Sequence, residues 1–126
     1  MSCLVDTNVF LEILLGQAAS ERCKRFLQEE NDLVVSDFSL HSIGVRLFRQ
    51  GTAAVFGEFV ADLLPNLEVI SLSHTGYGEV IAAQRDFGLD FDDAYQFAVA
   101  GENKLIIVTQ DQDFARVKNE IAVTFI

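Results

Sequence analysis

The feature that most constrains this chain is a set of short apolar runs with no polar alternation. Cys3-Leu4-Val5, Leu33-Val34-Val35 and Leu105-Ile106-Ile107-Val108 are apolar at every position. Successive side chains of a strand point to opposite faces, so a strand with one wet face alternates apolar and polar residues. An unbroken apolar run is dry on both sides, which is the pattern of a parallel sheet covered by helices.

The segments between these runs have helical spacing. After Asp6, Thr7-Asn8 open a helix with Val9, Phe10, Ile13 and Leu14 on its apolar side and Gly16 as its stop. A second helix fits 20–30, with Ser20 as N-cap and Cys23, Phe26 and Leu27 as its stripe. A strand at 33–35 leads to a helix over 37–49 carrying Leu40, Ile43, Gly44, Leu47 and Phe48 on one side. A helix over 52–64 stops at Pro65, which lacks the amide a helix interior needs. A strand at 67–72, a helix over 75–87 ended by Gly88, and a helix over 90–103 follow. Ala94, Phe97, Ala98 and Gly101 share a face of that last helix, small enough for close approach. A strand at 105–109, a short helix over 111–120 and a strand at 122–126 complete the order. The pattern predicts a three-layer α/β/α sandwich with a central, mostly parallel sheet of about five strands.

Composition narrows the function. The 126 residues contain no repeat, linker or low-complexity tract, which implies one domain over 1–126. Half are apolar, so a core forms without disulfides or a structural metal. No apolar run reaches the ~20 residues of a membrane span. Asp6 and Glu12 interrupt the first apolar segment, unlike a secretory leader. Cys3 and Cys23 have no ligand spacing and read as buried thiols in a cytoplasmic protein. The net charge of −10 argues against a protein that wraps nucleic acid through a basic face. It does not exclude a nuclease, in which a bound cation supplies positive charge to an acidic centre.

Ligands of parallel α/β sheets bind at the carboxyl ends of the strands. Asp6 ends the first strand, and Asp111 and Asp113 follow the fourth. Asp92 and Asp93 open the helix that feeds the fourth strand, so they start at the same edge. Each acid also has a structural reading: Asp6 and Asp111 as N-caps, Asp92 and Asp93 as complements to a helix dipole. Taken together, crowded carboxylates repel unless a cation joins them. Hard divalent ions accept oxygen ligands of this kind and keep several waters, an arrangement suited to phosphoryl transfer.

Three stretches carry a family resemblance. Leu4-Val5-Asp6-Thr7-Asn8-Val9-Phe10-Leu11-Glu12, Phe91-Asp92-Asp93-Ala94 and Val108-Thr109-Gln110-Asp111-Gln112-Asp113-Phe114 occur in the order and spacing of a PIN domain. The chain resembles the toxin half of bacterial and archaeal VapBC-type toxin–antitoxin pairs. The resemblance implies a metal-dependent endoribonuclease using Mg²⁺ or Mn²⁺, with RNA as substrate, a cognate antitoxin protein as partner, and a homodimer. Carried over by position, it implies that Asp6, Asp93 and Asp111 are the catalytic, metal-binding acids, with Asp113 as a further ligand. Asn8 and Thr109 would orient acids or water through hydrogen bonds.

One position departs from the pattern. The family places a Glu in the helix after the second strand, where this chain has Ser42. Ser42 can hold a water but brings no charge. That leaves a three-acid site, with Asp92 as the available compensation, or a binding module without activity. His41 is next along but a 100° step points it elsewhere. Arg46, Arg49, Arg116 and Lys118 are weak hints of RNA contact beside their simpler role as solvated charges. Two other acidic α/β classes lack their markers. A phosphoacceptor receiver needs an acid at the end of the third strand, where Ser71-Leu72-Ser73 stands. A haloacid-dehalogenase-like phosphatase needs a second Asp two residues after Asp6, where Asn8 stands.

Overall fold

The computed structural model describes residues 2–126. It contains five strands: β1 Cys3–Val5, β2 Leu33–Ser36, β3 Glu68–Ile70, β4 Ile106–Thr109 and β5 Val123–Phe125. All neighbouring pairs are parallel, in the order β3-β2-β1-β4-β5. Six α-helices cover the sheet: α1 Thr7–Leu14, α2 Ser20–Glu29, α3 Asp37–Arg49, α4 Ala53–Asp62, α5 Tyr77–Phe87 and α6 Phe91–Asn103.

The unalternating strands explain the layers. Cys3, Val5, Val35 and Val108 point into one core with Val9, Phe10, Ile43, Leu47 and Phe59 from α1, α3 and α4. Leu4, Val34 and Ile107 point into the other, with Val80 and Ala83 of α5 and Ala94, Ala98 and Val99 of α6. Phe10 and Phe59 meet edge to face at 5.5 Å and are fully buried. Each such side chain contributes about 1.5–3 kcal/mol of burial. Among the described residues, no helix is long and apolar enough to cross a membrane.

Several boundaries differ from the sequence reading. The α4 helix ends at Asp62, and Pro65 sits in a separate 3₁₀ turn, Leu64–Asn66. Ser20 does not cap α2; Ala19 occupies that position, and its amide donates to Glu12 Oε1 at 3.2 Å. The segment after Asp111 is a 3₁₀ helix, Gln112–Val117, and not an α-helix. The edge strands β3 and β5 have three residues each, shorter than the runs 67–72 and 122–126 expected from the sequence. The face of small residues expected on α6 is broader: Tyr95, Gln96, Val99 and Ala100 are buried as well, while Gly101 is exposed. Gly88 closes α5 at φ 68°, a left-handed conformation that favours glycine.

The sheet order positions the site. From central β1 the chain moves outward to β2 and β3, then returns to β4 on the other side of β1. The carboxyl ends of β1 and β4 therefore flank a topological switch point, where connections leave in opposite directions and open a crevice.

Candidate metal centre

Asp6 is the first residue after β1. Its amide donates to Val108 O at 2.9 Å, fixing it beside the end of β4. Its carboxylate is 7% exposed and accepts three hydrogen bonds. Oδ1 accepts from the Thr7 amide at 2.8 Å and from Gln96 Nε2 at 3.2 Å, and Oδ2 accepts from Thr109 Oγ1 at 2.8 Å. Asp6 thus caps α1 and lines the crevice at once. Burial raises its pKa above the usual carboxylate value and the Asp111 charge adds to this, while the three donors pull it down.

The Thr109 hydroxyl also accepts from the Asp111 amide at 2.9 Å and from Asn8 Nδ2 at 3.5 Å. Asn8 Oδ1 in turn accepts from the Gln110 amide at 3.2 Å. These contacts shape the turn after β4. Asp111 caps the 3₁₀ helix by accepting from the Asp113 amide at 2.9 Å.

Asp93 enters from the other side of the crevice. Its helix, α6, is capped by Asp90, whose Oδ1 accepts from the Asp93 amide at 3.0 Å. The Asp93 side chain is 8% exposed, and burial followed by the charges of Asp111, Asp90, Asp6 and Asp113 pushes its pKa up to about 8. Carboxylate oxygens of Asp93, Asp111 and Asp113 lie within 4.8 Å of one another, close enough to share one cation. Asp113 also pairs with Arg116 at 3.4 Å. Among the described residues, no lysine or arginine pairs with Asp6, Asp93 or Asp111.

A cavity of about 200 Å³ joins these groups, with Asp6, Asn8, Ser42, Asp92, Asp93 and Asp111 among its walls. Ser42 lines this cavity, half-buried on α3 and uncharged. Asp92 is exposed at the rim, its pKa raised by partial burial and by Asp90. His41 is exposed and lines neighbouring cavities instead. Arg46, Arg49 and Lys118 are exposed and lie outside the walls of this cavity.

Two participants escape the sequence reading. Gln96 is fully buried and gives its amide hydrogens to Asp6 and to Ser39 Oγ at 2.7 Å, leaving Oε1 without a partner. Ser39 Oγ also accepts from Thr7 Oγ1 at 2.8 Å. The available signal was spacing: Gln96 lies three residues after Asp93, and Ser39 three before Ser42, each on the same helix face.

The PIN domain family profile matches residues 3–120. The chain belongs to the PIN domain family. Members of this family are generally nucleases. Solved structures agree on the fold. A toxin–antitoxin complex from Klebsiella pneumoniae is similar at TM-score 0.79 and 20% identity, covering 98% of this chain and 96% of that one. VapC20 from Mycobacterium tuberculosis, a sarcin–ricin loop cleaving toxin, is similar at TM-score 0.78 and 20% identity, covering 90% and 93%. FitAcB from Neisseria gonorrhoeae is similar at TM-score 0.77 and 21% identity, covering 96% and 95%. No curated protein matches this PIN domain in sequence. At such identities the likeness establishes the fold, and the chemistry rests on the acids themselves.

Proposed function

We propose that this PIN domain is a metal-dependent endoribonuclease and the toxin of a VapBC-type toxin–antitoxin pair. The observation that carries this reading is the cluster of Asp93, Asp111 and Asp113, with no basic partner for Asp93 or Asp111 among the described residues. The donor set fits a hard divalent ion: oxygen ligands only, with burial and the neighbouring acids raising the Asp93 pKa. Mg²⁺ or Mn²⁺ suits it, since no sulfur or imidazole takes part.

Asp93, Asp111 and Asp113 would hold the ion, and Asp6 would act from across the cavity. When bound, the ion supplies the positive charge that draws in a phosphodiester and acidifies water for in-line attack. The protein prepares the rest. Thr109, Gln96 and the Thr7 amide orient Asp6 by hydrogen bonding and favour its charged form against the burial that raises its pKa. Asn8 braces the turn that carries Asp111. Asp93 would bind an ion in its charged form, since a cation would offset the burial and the neighbouring acids that raise its pKa. Asp92 stands at the rim as an auxiliary acid.

The same reading covers the partners. The acidic cavity is a receptor for an arginine from a cognate antitoxin, which binds carboxylates in bidentate fashion. Two copies form a homodimer, and the chain works as a single cytoplasmic domain. The toxin relatives support this assignment by fold and by what their structures contain.

The test is incubation of the purified chain with structured RNA in Mg²⁺, in Mn²⁺ and in EDTA. Cleavage with metal, absent in EDTA and in Asp93→Asn, is the expected result. Ser42 favours a second reading, a PIN domain that binds without cutting, since the cavity lacks a fourth acid on α3. Metal binding without cleavage under any ion selects that second reading.

A further inference from the structure

Next to the acid cavity lies a second cavity of about 460 Å³, walled by Asp37, Phe38, His41, Tyr77, Phe91 and Tyr95. Phe38 lines both, so the two share a wall. Tyr95 is the fixed element. It is buried, and its hydroxyl donates to Asp37 Oδ1 at 2.7 Å and accepts from the Leu72 amide at 3.0 Å. The other rings gather on it: Phe38 at 5.7 Å, Tyr77 at 6.2 Å and Phe91 at 6.4 Å, the last nearly parallel at 29°.

Two of these rings face water. Phe91 is 59% exposed and Tyr77 is 48% exposed. Burial in the core therefore does not account for them. Phe91 directly precedes Asp92 and Asp93, which line the acid cavity, so its ring stands within a turn of helix of the acids.

Charge decides what the rings are for. A polyanion approaching this protein meets a net charge of −10, with four aspartates around the acid cavity. Counterion release by basic residues, the usual source of nucleic-acid affinity, is weak here. Stacking of bases on aromatic rings is insensitive to that charge and takes any base, because every base has a π-face. Stacking also requires an unpaired base.

We propose that the Phe38–Tyr77–Phe91–Tyr95 cavity is a base-stacking subsite that receives the unpaired base flanking the phosphate at the acid centre. This rests on the nuclease reading above. It assigns the grip on substrate to aromatic rings in place of lysines and arginines. Phe91 is a positioning residue in this scheme and takes no part in bond cleavage.

The chain supplies its own probe. It has no tryptophan and two tyrosines, Tyr77 and Tyr95, both in this cavity. The experiment titrates the full chain in Ca²⁺ with hexaadenylate and with the same oligonucleotide carrying a central abasic site, reading tyrosine emission and the anisotropy of an end label. Hexaadenylate should quench the tyrosines. Phe91→Ala, an exposed substitution, should weaken hexaadenylate binding about tenfold, equivalent to about 1.4 kcal/mol. It should leave abasic binding unchanged, and Phe91→Trp should restore the loss. Equal affinities of wild type and Phe91→Ala for hexaadenylate overturn the proposal. So does a Phe91→Ala chain that changes only its sedimentation, which makes the face a contact between two copies. Base-dependent binding without RNA cleavage by the wild type keeps the subsite and rejects the nuclease. Cleavage with binding indifferent to Phe91 does the reverse.

Discussion

The two sides of the crevice treat their carboxylates in opposite ways. On the β1 side, Asp6 is buried yet receives three hydrogen bonds, from Thr7, Gln96 and Thr109. On the α6 side, Asp93 is equally buried and meets four other acids, with its pKa pushed up to about 8. A carboxylate that the protein has already satisfied is a positioned part. One surrounded by like charge is incomplete without a cation. The difference separates the acid this PIN domain holds in place from the acids it keeps available for an ion.

The largest effect expected from this contrast is on activity. Asp93→Asn should reduce RNA cleavage about a thousandfold or more, read as single-turnover rate with Mn²⁺. An Asp93→Asn chain within tenfold of wild type would remove Asp93 from the reaction.

Ion affinity comes next. Ser42 lines the cavity without a charge, so Ser42→Glu should tighten Mn²⁺ about tenfold or more by calorimetry, since ligand charge sets the affinity of such sites. The same substitution should lower the melting temperature of the metal-free chain by adding repulsion. Unchanged affinity would mean that the α3 face carrying Ser42 is turned away from the ion.

A pH dependence follows with a definite sign. Asp93 is protonated in the folded metal-free chain up to about pH 8, whereas an unfolded aspartate ionises near its ordinary value of about 4. Folding therefore takes up a proton between these values, and stability falls as pH rises through that window. The loss between pH 5 and pH 8 should be about 3.5 kcal/mol, on the order of ten degrees in melting temperature. Asp93→Asn should flatten the profile and be the more stable protein at pH 8.

The smallest effect separates the two sides directly. Asp6→Asn should destabilise the metal-free chain by about 1–2 kcal/mol, because its new amide faces the Thr109 hydroxyl, a donor in the native contact. Thr109 Oγ1 already accepts from Asp111 and Asn8, so it is poorly placed to accept a third. Opposite signs for Asp6→Asn and Asp93→Asn in metal-free melting at pH 8 would sharpen the contrast, and equal signs would break it.

Much of this arrangement was legible in the sequence because it depends on strand and helix ends. The apolar runs fixed the parallel sheet, and the residues just past them, Asp6 and Asp111, followed from topology. Asp93 and Ser42 came from the family spacing, and both line the cavity. Gln96 was not legible. A single glutamine in the buried face of α6 matters only because that helix crosses beside Asp6, a contact across ninety positions of sequence. Tyr95 was hidden in the same way, since its partners Asp37 and Leu72 come from distant segments. Asp90 was placed at a helix start, but spacing alone could not divide three acids between cap and cavity. The segment after Asp111 reads as a short helix over 111–120, without its type. Asp111 accepts from the amide two residues on, tightening the chain into a 3₁₀ turn. Strand β3 is shorter than the run read from the sequence, and it lies at an edge with Val69 45% exposed.

The most direct test of the central claim is proton release on ion binding. Mn²⁺ titrated calorimetrically into the chain at pH 7, in two buffers of different ionisation heat, counts the protons set free. Asp93, protonated at that pH without an ion, should release about one proton per Mn²⁺ bound. Asp93→Asn should release none and bind more weakly. Binding that releases no proton, or that is unaltered in Asp93→Asn, would show that the ion does not sit among Asp93, Asp111 and Asp113.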